Sequence, residues 1–144
     1  MAIIDQSGLA GKIRDQPISS KLEKVLSQAA EAAKIDRVCV TSGGQPGSSG
    51  RSTGSTRHNG GRAADLYLVA NGKKLAFSNK SAPARIVKFV TACAALGANG
   101  IGAGTDYMGK HTLHIGFGTN KRDKRQIVWG AKGRSKNSPK WLRK

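Results

Sequence analysis

Acidic side chains are scarce in this chain of 144 residues, and no glutamate follows Glu31. Eight Asp and Glu residues face 25 Lys and Arg residues, which gives a formal net charge of +17. This imbalance excludes an acidic disordered chain and favours anionic partners. Carboxylate chemistry beyond Glu31 is restricted to Asp36, Asp65, Asp106 and Asp123.

Cysteine, aromatic residues and long apolar runs are also few. Two cysteines, Cys39 and Cys93, cannot build a disulfide scaffold, and we expect both to pack as small core residues. No apolar run is long enough to cross a bilayer, which excludes an integral membrane segment. The first residues lack the basic and apolar regions of a secretory signal.

The length predicts a single domain over residues 1–144. Its core is expected at about residues 17–118, after an irregular lead-in. Residues 119–144 carry ten basic residues and one acid. Because Trp129, Trp141 and Leu142 also lie there, we predict that this basic C-terminal extension packs on the domain.

Apolar periodicity predicts two helices and several short strands. Ser20-x-x-Glu23 is typical of a capping box, and the helix that it opens should run to about Lys34. A second helix should begin after Pro83 and stop at Gly97. The predicted strands cover residues 37–41, 66–69, 73–77, 100–104 and 112–118.

Histidine occurs three times, as His58, His111 and His114. Two histidines and one carboxylate form a known catalytic zinc set that leaves one position open for water. His58, Asp65 and His114 are therefore candidate ligands. The spacing of His58 and Asp65 also occurs by chance, so a loop histidine and a turn aspartate remain alternatives.

One segment of the chain carries a family resemblance. Thr56-x-His58-x-x-Gly61-x-Ala63-x-Asp65 resembles the Ser-x-His-x-x-Gly-x-Ala-x-Asp signature of zinc D-alanyl-D-alanine carboxypeptidases. That family includes the L-alanyl-D-glutamate endopeptidases that bacteriophages use as endolysins. Residues 40–43 resemble the family's strand and Ser-Gly turn. Residues 100–102 and 113–115 resemble the strand pair that delivers the last zinc histidine.

The resemblance spans residues 38–118 and implies both a fold and an activity. The implied fold is a small single α+β domain, with a mainly antiparallel sheet flanked by helices and a zinc site at the sheet. The implied cofactor is Zn²⁺, bound by His58, Asp65 and His114. The implied activity is hydrolysis of stem peptides in bacterial peptidoglycan, by a monomeric phage or prophage endolysin. Such an enzyme is made in the cytoplasm of the bacterial host and acts on the wall in the periplasm or outside the cell.

The substrate-binding residues depart from the family pattern. The family usually has Ser-Gly-Tyr-Arg after the strand, whereas this chain has Ser42-Gly-Gly-Gln45. Gln45 can donate a hydrogen bond but carries no charge. Arg51 or Arg57 could supply the missing cation from the same glycine-rich loop.

The residue at the position of the general base also differs from the family pattern. The family's glutamate lies three residues before the last zinc histidine, and that position is His111 here. A histidine can accept a proton from water and later protonate the leaving amine. Asp106 is the second candidate, and a third alternative is that neither residue acts as the base.

The charge fits an envelope target, because peptidoglycan and other envelope polymers are anionic. Two other function classes remain open. The run of basic residues 121–125 resembles a generic nucleic-acid patch, although the chain has few aromatic residues for base stacking. The missing glutamate also keeps open a catalytically inactive zinc-fold module that binds the cell wall.

Overall fold

The computed structural model describes residues 2–9, 16–44, 58, 60–105, 109–117, 127–130 and 135–142. Within these ranges lie two α-helices, α1 (Ser20–Ala32) and α2 (Ala84–Ala95). The strands are β1 (Ile3–Asp5), β2 (Arg37–Ser42), β3 (Ala63–Ala70), β4 (Lys73–Lys74), β5 (Gly100–Gly104), β6 (Gly109–Gly116) and β7 (Ile127–Trp129). Short 3₁₀ turns cover Ser7–Leu9, Ser135–Asn137 and Lys140–Leu142.

The strands form one sheet in the order β1-β2-β3-β6-β5-β7. The short strand β4 pairs with the end of β3. Val69 of β3 has Arg37 of β2 on one side and Lys74 of β4 on the other, so β4 lies on the same side of β3 as β6. The four pairings among β2 to β6 are antiparallel. β1 is parallel to β2, and β7 is parallel to β5.

The expectation of a mainly antiparallel sheet was therefore wrong, and the sheet is mixed. Both parallel pairings arise at the sheet edges. The chain runs from β1 through α1 to β2, and a helical crossover of this kind returns the chain in the same direction. At the other edge, β7 follows β6 in sequence but pairs with the far side of β5.

One face of the sheet builds the hydrophobic core with both helices. Along each central strand the residues alternate between faces, and every second residue belongs to the core. These residues are Val38, Val40, Ala64, Leu66, Leu68, Ile101, Ala103, Leu113 and Ile115. The other face carries the intervening residues, which include Asp65 and His114.

The C-terminal extension contributes to this core in the part that the structure describes. Trp141 and Leu142 are buried members of the core cluster. The Trp141 indole N–H donates to the Ser78 carbonyl over 2.7 Å, and its ring centroid lies 5.2 Å from that of Phe77. Large apolar side chains in a basic segment thus serve packing.

The N-terminus of α1 differs from its prediction by one residue. Ser19, not Ser20, has the extended backbone of an N-cap, and its Oγ accepts a hydrogen bond from the Leu22 N–H over 3.2 Å. The second helix begins and ends where it was predicted. Pro83 directly precedes its first residue, and Gly97, with a φ of +109°, follows its C-cap residue Leu96.

The two cysteines lie on different faces of the sheet. Cys93 belongs to α2 and to the core, whereas Cys39 pairs with Tyr67 on the opposite face. Both are free and buried. The expectation of a core position holds for Cys93 and was wrong for Cys39, because strand alternation turns Cys39 away from the helices. Within the described ranges, no helix combines the length and the apolar character needed to span a membrane.

Candidate metal centre

The candidate site is built on one row of cross-strand neighbours. Ser42 of β2 pairs with Asp65 of β3, and Asp65 pairs with His114 of β6. His114 pairs in turn with Gly102 of β5, and Gly102 pairs with Trp129 of β7. Directly paired residues point to the same face, so Asp65, His114 and Trp129 all project away from the helices.

Two imidazole rings face the Asp65 carboxylate. His114 Nδ1 lies 2.9 Å from Asp65 Oδ1, and His58 Nε2 lies 3.7 Å from Asp65 Oδ2. The ring centroids of His58 and His114 are 5.1 Å apart, with the rings nearly perpendicular. Strand pairing therefore brings Asp65 and His114 together, and His58 reaches the same carboxylate from outside the sheet.

A short turn before β3 holds His58 in place. His58 Nδ1 lies 2.9 Å from the Gly43 carbonyl. Because a carbonyl oxygen only accepts, Nδ1–H donates to it and Nε2 is the ring nitrogen that faces Asp65. The turn closes through a hydrogen bond from the Gly61 N–H to the His58 carbonyl.

Gly61 is required in this turn for two reasons. Its φ of +77° is disfavoured for other residues, and a Cβ atom there would lie 2.7 Å from the Ser19 backbone nitrogen. The glycine therefore lets the turn pack directly against the start of α1, which positions His58 over the sheet.

The donor set suits a metal ion. The possible ligand atoms of His58, Asp65 and His114 all lie within 4.8 Å of one another. Tetrahedral ligands at about 2.0–2.1 Å from zinc are separated by about 3.3 Å, and the two nitrogen–oxygen distances bracket that spacing. His58 is 1% exposed and His114 4%, so little solvent competes for these nitrogens.

Comparisons of this chain with protein-family models, with curated proteins and with solved structures found no match. No relative therefore assigns a family or an activity to it.

A buried tryptophan lies next to the candidate ligands. Trp129 is 3% exposed, and its ring centroid lies 4.9 Å from that of His114. The indole covers Gly102, where a Cβ atom would lie 2.5 Å from Trp129 Cε2. Because Gly102 has no side chain, the two rings on either side of it come into contact above the strand.

The same sheet face continues into a polar region beyond Asp65. Tyr67 lies two residues further along β3, and the Lys74 ammonium lies 4.2 Å from the centroid of its ring. A hydrogen bond with Cys39 raises the pKa of Tyr67 above its usual range. Cationic and hydrogen-bonding side chains thus border the candidate site.

His111, the sequence-predicted base, is outside the three-residue group, although it lies on the same strand as His114. Its Nδ1 is 2.9 Å from the Leu75 carbonyl, so Nδ1–H donates there and Nε2 is the ring nitrogen left for other partners. Ser42 is half-buried and adjoins Asp65 in the row. The other predicted site residues, Asp106, Gln45, Arg51 and Arg57, lie outside the described residues.

Sequence reasoning missed Trp129 as a neighbour of the site. A signal was present in residues 100–104, where glycine occupies every second position. The strand alternation puts all three glycines on the face of His114. A strand face without side chains indicates that a bulky group from another part of the chain packs over it.

Proposed function

We propose that this protein is a zinc-dependent peptidase that hydrolyses stem peptides of bacterial peptidoglycan, in the manner of a phage or prophage endolysin. The observation that carries the proposal is that His58, Asp65 and His114, the three residues that the family resemblance implies as zinc ligands, converge on one sheet face. The family resemblance supplies the substrate class.

In this proposal His58 binds the metal through Nε2, His114 through Nδ1 and Asp65 through its carboxylate. These are the atoms that face one another. Two neutral imidazoles and one carboxylate contribute a single negative charge, which leaves a divalent ion with net positive charge in a largely buried site. Bound zinc supplies a water activated near neutral pH and polarises the scissile carbonyl.

His111 is the proposed general base. Its hydrogen bond to the Leu75 carbonyl fixes the neutral tautomer whose Nε2 accepts a proton. The same nitrogen, once protonated, can donate to the leaving amine. Asp106 is the alternative base, and only the sequence supports it.

The basic surface is proposed to bring the enzyme to its anionic target. Stem peptides carry free carboxylates, and a net charge of +17 raises the rate of encounter with a polyanionic envelope. Ser42, next to Asp65 in the row, is proposed to contact the substrate. Gln45, Arg51 and Arg57 are proposed to do so from the glycine-rich segment.

The test combines metal analysis with a cleavage assay. Protein purified without added metal should contain about one zinc per chain, and it should release peptide fragments from purified peptidoglycan in a chelator-sensitive reaction. Mass spectrometry of those fragments identifies the bond. Full activity in excess chelator would refute the zinc mechanism. Bound zinc without any fragment release would favour the inactive wall-binding module.

A further inference from the structure

We infer that Trp129 is a positioning residue of the metal centre: its indole holds the His114 ring at the angle at which Nδ1 meets Asp65. This inference rests on the proposed metal site. It makes the C-terminal extension a structural part of that site, although all three proposed ligands precede residue 119.

The two histidines are held in different ways. Ligand histidines usually donate their second ring N–H to a fixed acceptor, which sets the tautomer and the ring angle. His58 has such an acceptor, the Gly43 carbonyl. His114 Nε2 is buried and has no hydrogen-bond partner among the described residues. His114 Nδ1 lies 2.9 Å from Asp65 Oδ1, but both of these atoms are proposed ligand atoms. The His114 ring therefore has no hydrogen bond, among the described residues, to a group outside the proposed centre, and we look to packing for what orients it.

Trp129 is the neighbour that can do so. Its ring lies 4.9 Å from the His114 ring at an interplanar angle of 58°. Because Trp129 is 3% exposed and its strand pairs in fixed register with β5, the indole has little freedom to move. Aromatic packing of this kind restricts the rotation of the imidazole about its χ torsions.

Gly102 makes the contact possible. It lies between His114 and Trp129 in the row, and any side chain there would meet the indole. Gly102→Ala should therefore push Trp129 away from His114 while every proposed ligand and Trp129 itself remain in the chain. This variant therefore tests whether the position of the indole matters, in a protein that still contains Trp129.

The experiment is a Co²⁺ titration of the full chain, read by the visible absorption of the bound ion. We expect Trp129→Ala and Gly102→Ala to weaken Co²⁺ binding by about 10–100-fold, the usual effect of losing an orienting partner. Trp129→Phe should recover part of the affinity, because a phenyl ring still packs on His114. The visible absorption bands of Co²⁺ bound to Trp129→Ala and Gly102→Ala should also change shape, because the ligands around the ion are less regularly arranged.

Trp141→Phe is the matched control. Trp141 is a buried tryptophan of the same extension, but it contacts Phe77 and the Ser78 carbonyl instead of His114. We expect this variant to bind Co²⁺ like the parent even if its melting temperature falls. It also leaves Trp129 as the single tryptophan, so Co²⁺ should strongly quench the remaining fluorescence.

The outcomes separate this inference from the proposed function. If the parent binds neither Co²⁺ nor Zn²⁺, the metal centre is refuted and the inference falls with it. If the parent binds metal and the Trp129 and Gly102 variants bind equally well, only the positioning role is overturned. Equal losses in the Trp129→Phe and Trp141→Phe proteins would also overturn it, because they would indicate a general packing defect. If Trp129→Ala does not fold, Gly102→Ala and Trp129→Phe decide.

Discussion

The Asp65 carboxylate has an imidazole on each of its two oxygens, and neither ring is on its own strand. Such an arrangement concentrates two nitrogen lone pairs and one negative charge in a small volume. In the absence of a cation, one ring must hold a proton against the carboxylate. The Asp65 carboxylate therefore either binds a metal ion or accepts a hydrogen bond from the His114 ring.

Asp65→Ala tests this choice. We expect its zinc affinity to fall by at least about 10-fold and its zinc content to fall sharply, because losing a ligand should cost no less affinity than losing an outer partner. Asp36→Ala is the control, since Asp36 is exposed, lies outside the candidate ligand group and accepts a hydrogen bond from the Asn71 N–H. Elemental analysis of both proteins gives the answer. Unchanged zinc in Asp65→Ala would exclude Asp65 as a ligand.

His111→Ala should keep its zinc and its fold but lose about 10²–10⁴-fold in turnover, the usual contribution of a positioned base. The measurement is the rate of peptidoglycan fragment release alongside metal content. Asp106→Asn is the paired variant. Near-parent turnover in His111→Ala together with an inactive, zinc-loaded Asp106→Asn would make Asp106 the base. Loss of zinc from His111→Ala would make His111 a ligand.

Cys93 supplies a test that does not depend on the site. It is fully buried in α2, and burial raises the pKa of its thiol well above the usual range. The folded state therefore keeps the proton when the unfolded thiol ionises above about pH 8.5. The stability due to this thiol is complete below that pH and is lost as the pH rises.

Denaturant unfolding of the parent and of Cys93→Ala should show this loss. We expect the difference between their free energies of unfolding to shrink by about 1.4 kcal/mol per pH unit above pH 8.5. Comparing the two proteins cancels the titration of lysines and tyrosines. A difference that stays constant up to pH 10 would contradict selective protonation of the buried thiol.

At the scale of elements, the start of α1 differs from its prediction by one residue. Ser19 and Ser20 are adjacent, but only Ser20 has the Ser-x-x-Glu spacing of a capping box with Glu23. The structure selects Ser19, because its Oγ meets the Leu22 N–H. Ser19→Ala should therefore cost about 1 kcal/mol of unfolding free energy.

Ser20→Ala is the matched control, and it should change stability by no more than about 0.5 kcal/mol. Equilibrium unfolding in urea measures both. If Ser20→Ala proves the more costly substitution, Ser20 is the cap and α1 begins one residue later.

The sequence predicted the elements with a strong local pattern and missed those defined by distant pairing. Apolar periodicity was enough for α1 and α2, and the signature spacing was enough to bring His58, Asp65 and His114 together as candidates. β1 has only three residues, and its strand state depends on parallel pairing with β2. The contact between Trp129 and His114 depends on a parallel pairing as well. The alternating glycines of residues 100–104 indicate that a bulky group covers that strand, but they do not identify it as Trp129.

At the scale of the whole molecule, the excess of positive charge exceeds what a single metal site requires. We expect the basic run in residues 121–125 to serve engagement of the envelope and to leave the chemical step unaffected. Replacing Lys121, Arg122, Lys124 and Arg125 with neutral residues should slow attack on intact sacculi. It should also reduce the salt dependence of that activity.

Hydrolysis of a small soluble stem peptide by the same variant should change little, because a short substrate does not need capture by a distant surface. The test measures both rates, for intact sacculi and for the soluble peptide, in the parent and in the variant over a range of ionic strength. An equal fall in both activities, in a protein that remains folded, would assign the segment to the active site.

The row that joins β3 to β6 has a consequence for folding. Asp65 and His114 are 49 residues apart in sequence yet directly paired. A slip of one residue would turn one of them toward the helices, and a slip of two would separate them by about 6.6 Å. A bound ion would thus stabilise one strand alignment over its competitors. The metal content of a refolded preparation would then measure the fraction of molecules whose sheet has been assembled correctly.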